Sequence, residues 1–180
     1  RMWSVIGLVV ATTLVVLFLS FRSLLVPLKA VLLNLLSVSG AFGALVLVFQ
    51  DGHGARLLGL ARPLDGVFPI VPALVFCVVF GLSMDYEVFL VARVAEARRA
   101  GLSEDEALRE GLDRTGPVIT SAAAIMIAVF AAVTLGEFVL LKMLGFALAV
   151  AVLLDATVIR MAIGPALLRL AGRWNWWPGR

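Results

Sequence analysis

Charge is sparse in this chain, at 15% of residues, and cysteine and histidine each occur once, as Cys77 and His53. A lone cysteine excludes a disulfide framework and a Cys-based metal site. His53 lies among Asp51, Arg56, Arg62 and the glycines Gly52, Gly54, Gly59 and Gly66, a polar loop without the further ligands a metal ion needs. The net charge of +3 points to no nucleic-acid partner, because the basic residues follow a different logic, described below. There is no initiator Met before Arg1 and no short apolar region ending in a small-residue cleavage site, so the chain reads as a fragment of something longer with no signal peptide.

The gaps between charges define the class. Met2–Phe21, Ala30–Gln50, Gly66–Met84 and Thr115–Gly136 carry none, and Phe138–Leu168 is interrupted only by Lys142, Asp155 and Arg160. Each gap approaches the roughly 20 apolar residues that cross a hydrocarbon core. With 62% hydrophobic residues, 180 residues are too few to bury five such helices on all sides in water. The expectation is an all-α polytopic membrane protein whose transmembrane domain fills residues 1–172, with five spans at about 3–20, 30–49, 68–92, 117–135 and 138–168.

Between the third and fourth spans, Ser103 and Glu106 have capping-box spacing with acids in the first turn. This predicts a short surface helix at about 104–113 that stops before Gly116-Pro117. Residues 173–180, with Trp174, Trp176 and Trp177, read as an interfacial tail. Small residues four apart (Ser37 with Ala41, Gly40 with Ala44, and Ala124, Ala128 and Ala132) predict close helix packing, and Asn34 reads as an interhelical hydrogen-bonding residue.

Five spans place Arg22, Lys29, Arg93, Arg98, Arg99, Arg109, Arg114, Arg169, Arg173 and Arg180 on one side, against Arg1, Arg56 and Arg62 on the other. The excess marks the first side as cytoplasmic and the N-terminus as extracytoplasmic.

Within the third span, Gly81-Leu82-Ser83-Met84-Asp85-Tyr86-Glu87 sets two acids and a phenol in an apolar helix. An intramembrane carboxylate costs on the order of 3 kcal/mol on insertion scales and generally lines an ion pathway or polar cavity. At 100° per residue, Asp85 shares a face with Gly81 and Phe89, whereas Glu87 lies nearly opposite and aligns with Ser83. Gly81 leaves room beside Asp85, and Glu87 reaches toward Arg93 and the interface. Asp155 is the second intramembrane acid, at comparable depth, with Arg160 five residues on as a structural partner. Thr120 and Ser121 are within reach of a carboxylate on the third span, or bond their own backbone. Lys142 snorkels outward. Desolvation and a nearby cation move a carboxylate's proton affinity in opposite senses, so proton coupling is the natural chemistry for a buried Asp-Tyr pair.

The run from Gly81 to Leu90 resembles the mycobacterial membrane protein large (MMPL) family of resistance–nodulation–division (RND) transporters. Thr115-Gly116-Pro117-Val118-Ile119-Thr120-Ser121-Ala122, Leu153-Leu154-Asp155-Ala156-Thr157-Val158-Ile159-Arg160 and Gly172-Arg173-Trp174-Asn175-Trp176-Trp177 agree with it. The resemblance implies two repeats of six helices, each with an extracytoplasmic porter domain, and this chain is similar to the last five helices of the second repeat. It implies that Asp85 and Tyr86, with Glu87 and Asp155 near them, form half of a proton relay in an exporter of lipids or other hydrophobic compounds. Ser83, Thr120 and Ser121 would support the relay, and Gly81, Gly40 and Ala44 would serve helix packing. Its partners would be membrane lipids, the substrate, the N-terminal repeat of the same transporter and further copies in a homo-oligomer. No cofactor is implied beyond the proton gradient. A non-transporting membrane scaffold or truncated remnant is the alternative, and an intramembrane aspartyl protease a remote one, since Asp85 follows Gly-Leu-Ser-Met rather than Gly-x-Gly.

Overall fold

A computed structural model describes residues 2–21, 23, 25–60 and 62–172. The tail at 173–180 lies outside the described residues. Helix α1 covers Met2–Phe21 and α2 covers Leu25–Leu45, continuing as one π-helical turn over Val46–Gln50. Helix α3 is Ile70–Arg99, α4 is Glu104–Thr134, and α5 is Val139–Leu154, which runs through π-helical Asp155–Ile163 into α6, Gly164–Ala171. Four of these continuous helices are long and apolar enough to cross a membrane: Leu25–Gln50, Ile70–Arg99, Glu104–Thr134 and Val139–Ala171. Helix α1, of 20 residues, sends Val9, Val10 and Leu14 onto the common core.

That core lies between α2, α3 and α5. Ala30, Ala41, Val71, Val75, Met143, Ala147 and Ala151 are each fully buried there, and Phe49 meets Phe146 edge-on at 5.7 Å between centroids. Small residues on facing helices let the backbones approach, since between lipid-embedded helices packing contacts drive association. A Cβ at Gly40 would lie 2.7 Å from Leu154 Cδ1. One at Gly145 would meet the Phe130 carbonyl oxygen at 2.7 Å, so α4 and α5 cross at a point only glycine fits. The fourth span packs through Ile119, Ala123 and Thr134. The alanines expected to do so, Ala124, Ala128 and Ala132, are exposed.

The largest departure from expectation is at 93–117. The third helix does not stop near Ala92 but runs on to Arg99, with Arg93 donating to Glu96 one turn later at 2.8 Å. Nor is there a separate surface helix: Glu104–Thr134 is continuous with Pro117 inside it. Arginine, alanine and glutamate are good helix formers, which explains the extension of α3. Across the proline joint, α4 is clamped to α3 on the side of its charged half. Ala107 is fully buried among Leu90, Val94 and Ala97, and a Cβ at Gly111 would strike Val94 Cγ2 at 2.7 Å. Thr115 Oγ1 donates to the Gly111 carbonyl at 2.7 Å. This contact and the tertiary packing hold the helix through the hydrogen bond that Pro117 deletes, as polar side chains and neighbouring helices do in membrane helices generally. The capping box itself forms as its spacing predicts: Glu106 N donates to Ser103 Oγ at 3.4 Å and Ser103 N to Glu106 Oε2 at 3.0 Å. Gly101, at φ +95°, makes the tight turn between α3 and α4.

Two further boundaries differ. Helix α2 begins at Leu25, five residues before the expected Ala30, because Ser23 Oγ accepts from Val26 N at 3.4 Å and Pro27 falls in the first turn, where its missing N–H is harmless. The loop after α2 is more ordered than a polar linker: it contains a 3-10 turn at Ala55–Leu58 and buries Ala55 and Leu60. Lys142 anchors it by donating to the Leu58 carbonyl.

Candidate functional site: a buried carboxylate cluster beside an exposed one

Residue Asp155 sits where α5 passes from α- to π-helical winding. In an α-helix, residues five apart are rotated by about 140° from one another. The wider i→i+5 turn brings them onto one face, and Arg160 therefore folds back on Asp155. Its Nε donates to Asp155 Oδ2 at 2.9 Å and its Nη2 at 2.8 Å. Asp155 is 7% exposed, so this is a buried ion pair.

The cluster is completed from two other helices. Ser83 Oγ on α3 donates to Asp155 Oδ1 at 2.8 Å, and Ser37 Oγ on α2 does so at 3.4 Å. Arg160 Nη2 donates to the Ser83 carbonyl at 2.6 Å and to its hydroxyl at 2.9 Å. The guanidinium also lies over the Tyr86 ring, 5.1 Å from its centroid, a distance at which the ring quadrupole attracts a cation. Arginine suits this role, since its planar fork serves a carboxylate, a backbone carbonyl and an aromatic face at once.

The rest of the acidic stretch divides by helical face. Asp85 is exposed together with Gly81 and Phe89, the edge the 100° rule predicts, but not the buried position expected of an Asp-Tyr pair. No atom of another helix lies within 4 Å of a Cβ built on Gly81, so the room beside Asp85 opens outward from these helices. Glu87 is turned inward and is the less exposed of the two. It lines a cleft between α2, α3 and the α5–α6 helix, together with Lys29, Asp155 and Arg160. Lys29 reaches across that cleft to donate to the Leu167 carbonyl at 2.8 Å.

Thr120 and Ser121 are exposed, and Ser121 donates to the Val118 carbonyl of its own helix at 3.0 Å. Helix α4 instead faces the cluster with Ile119, Ala123 and Met126, across a second cleft that Ser83, Tyr86, Asp155 and Arg160 also line. Sequence reasoning took Ser37 for a packing residue and missed that its hydroxyl reaches Asp155. Its position on the small-residue face of α2 was the available signal. Asn34, read as interhelical glue, is 1% exposed, and its side-chain amide makes no hydrogen bond among the described residues. The two acids that a protease mechanism would share are apart in environment: Asp155 is bound to arginine and two serines, and Asp85 faces outward.

Long apolar helices enclosing a paired carboxylate define a multi-pass membrane protein with a polar centre. The chain belongs to the MMPL family, whose model matches residues 2–180; this is a family of membrane transporters and not of enzymes. It is 43% identical over 173 residues to the trehalose monomycolate exporter MmpL3 of Mycolicibacterium smegmatis, covering 96% of this chain and 17% of that protein. It is likewise 43% identical over 173 residues to the heme uptake protein MmpL11 of Mycobacterium tuberculosis, covering 96% of this chain and 18% of the relative. A putative membrane protein of Streptomyces coelicolor, SCO6666, is 44% identical over 172 residues, covering 95% and 24%. The chain thus spans at most about a quarter of the length of these curated relatives, and the segment matched in MmpL3 and MmpL11 is C-terminal.

Proposed function

We propose that this chain is the C-terminal membrane part of a proton-motive-force-driven RND/MMPL-type exporter of lipids or other hydrophobic compounds, and that it carries half of the proton relay. One observation carries the reading: an ionisable side chain, Asp85, stands on an outward-facing edge of a membrane helix beside a glycine that leaves space. A carboxylate facing lipid at that depth is costly, so the edge calls for a polar counterpart, which the first repeat of such a transporter would supply. Tyr86 links this edge to the interior through Arg160, which gives the exposed acid a physical connection to the buried one. In this reading Asp85 is the group that loads and unloads, and Asp155, held by Arg160, is the fixed charge that positions Tyr86. The end bearing Arg93–Arg114 faces the cytoplasm, because positive charge is retained there. The relatives named for trehalose monomycolate export and heme uptake suggest an amphipathic or hydrophobic substrate. Proton-driven lipid export by the full-length parent in sealed vesicles tests the proposal: a pH gradient should drive export in wild type and not in Asp85→Asn. Export indifferent to the gradient in both would overturn it.

A further inference from the structure

Both polar atoms of the Asn34 amide are buried without a hydrogen-bond partner among the described residues. Buried amides are almost always paired, because an unpaired one has given up its water for nothing. Asn34 lies in the middle of the buried face of α2, with Ala30 and Val31 one turn before it and Ser37 and Val38 one turn after. Ser37 is the residue whose hydroxyl reaches Asp155. In the other direction along the helix are Leu33 and Lys29, which line the cleft shared with Glu87, Asp155 and Arg160. The amide therefore lies one helical turn from Ser37 on the same buried face of α2, the face from which Ser37 reaches Asp155. At 1% exposure, it is out of reach of anything that packs on the outside of these helices.

Its partner must accept from Nδ2 and donate to Oδ1. A cation would satisfy only the oxygen, and an acyl chain neither atom. Water does both, and bridging waters at such buried polar sites are structural components. We infer that Asn34 holds an internal water on the buried face of α2, beside the Ser37 hydroxyl that reaches Asp155. The site lies wholly inside this chain and does not rest on the transport reading. Where protons do move, it extends the buried cluster by one hydrogen-bonded group along α2.

The test is water-edited solid-state NMR on the full chain in lipid, with 15N-labelled asparagine. Asn34 Nδ2 should receive polarisation from water as fast as exposed amides do, despite its burial, and the signal should persist in Asp85→Asn. Slow transfer, like that of dry core groups, overturns the inference. A second arm reads stability. Asn34→Leu keeps the volume, and it should lower the thermal midpoint if it severs a water-bridged network. An unchanged or raised midpoint means that no water-bridged network was lost and the inference is wrong. If Asn34→Leu does not fold, the NMR result on the wild-type chain decides alone.

Discussion

Asp155 and Arg160 close on each other at 2.8 Å because the helix between them is wound as a π-helix, and that winding turns an i,i+5 spacing into a contact. Single π turns inside α-helices are frequent at functional sites. Here the consequence is specific: the same guanidinium reaches Ser83 on α3 and covers Tyr86. The pair thereby fixes the turn of α3 that carries Asp85.

A buried pair is costly to break from one side, since the abandoned charge stays in low dielectric. Arg160→Leu should therefore lower stability by about 3–5 kcal/mol, read as a loss of thermal midpoint and folded yield in detergent. Replacing both partners, Asp155→Leu with Arg160→Met, should recover most of that loss. A double variant as unstable as Arg160→Leu would show that the hydrogen bonds to Ser83 and Ser37, rather than the charge, dominate.

The ring of Tyr86 and its hydroxyl have separable roles. Tyr86→Phe keeps the face under Arg160 and should leave stability within about 0.5 kcal/mol of wild type, whereas Tyr86→Ala should cost about 0.5–2 kcal/mol more, the range of a cation–π contact. Denaturation midpoints of the two variants decide this. A loss of export in Tyr86→Phe without a loss of stability would assign the hydroxyl to the relay.

Topology is testable at two loop positions. His53 and Leu102 lie in loops at opposite ends of α3, so cysteines placed there in a Cys77→Ser background should react with impermeant reagents from opposite sides. Leu102 is the better probe than Ser103, whose hydroxyl and backbone N–H form the α4 capping box. Labelling of Leu102→Cys from the cytoplasmic side is the expected result. Reaction of both from one side would mean that α3 does not span.

Much of this was legible in the sequence, and the failures have physical causes. Charge-free runs mark spans because lipid penalises charge, and the 100° rule placed Asp85 and Glu87 on opposite faces. Residues 93–117 were misread because polarity and a proline were taken as breaks. Arginine, glutamate and alanine continue a helix readily, and the packing of Ala107 and Gly111 against α3 carries α4 past Pro117. The π turn has no signature in a 3.6-residue pattern, yet the five-residue spacing of Asp155 and Arg160 was its trace. Thr120 and Ser121 were chosen for being polar, but which residues of α4 face inward is set by its crossing with α5 at Gly145.

Asp85 gives the sharpest functional test. Its side chain is exposed among the described helices, and no hydrogen bond or ion pair within them depends on it. Asp85→Asn should therefore leave insertion, abundance and thermal midpoint near wild type. The amide keeps the size and most of the hydrogen bonding but cannot take up and release a proton, so proton-driven export by the full-length parent should fall to the level of an uncoupled control. Any residual export should lose its dependence on external pH. Glu87→Gln should be milder, since Glu87 lines an inner cleft rather than the edge where the partner repeat would sit. Both variants are compared in sealed vesicles by lipid export against an imposed pH gradient, with abundance measured in parallel. Wild-type rate and pH dependence in Asp85→Asn would remove Asp85 as the coupling residue. A Glu87→Gln variant more damaged than Asp85→Asn would move the titrating site to the inner cleft, and the exposed edge of α3 would then be a docking surface alone.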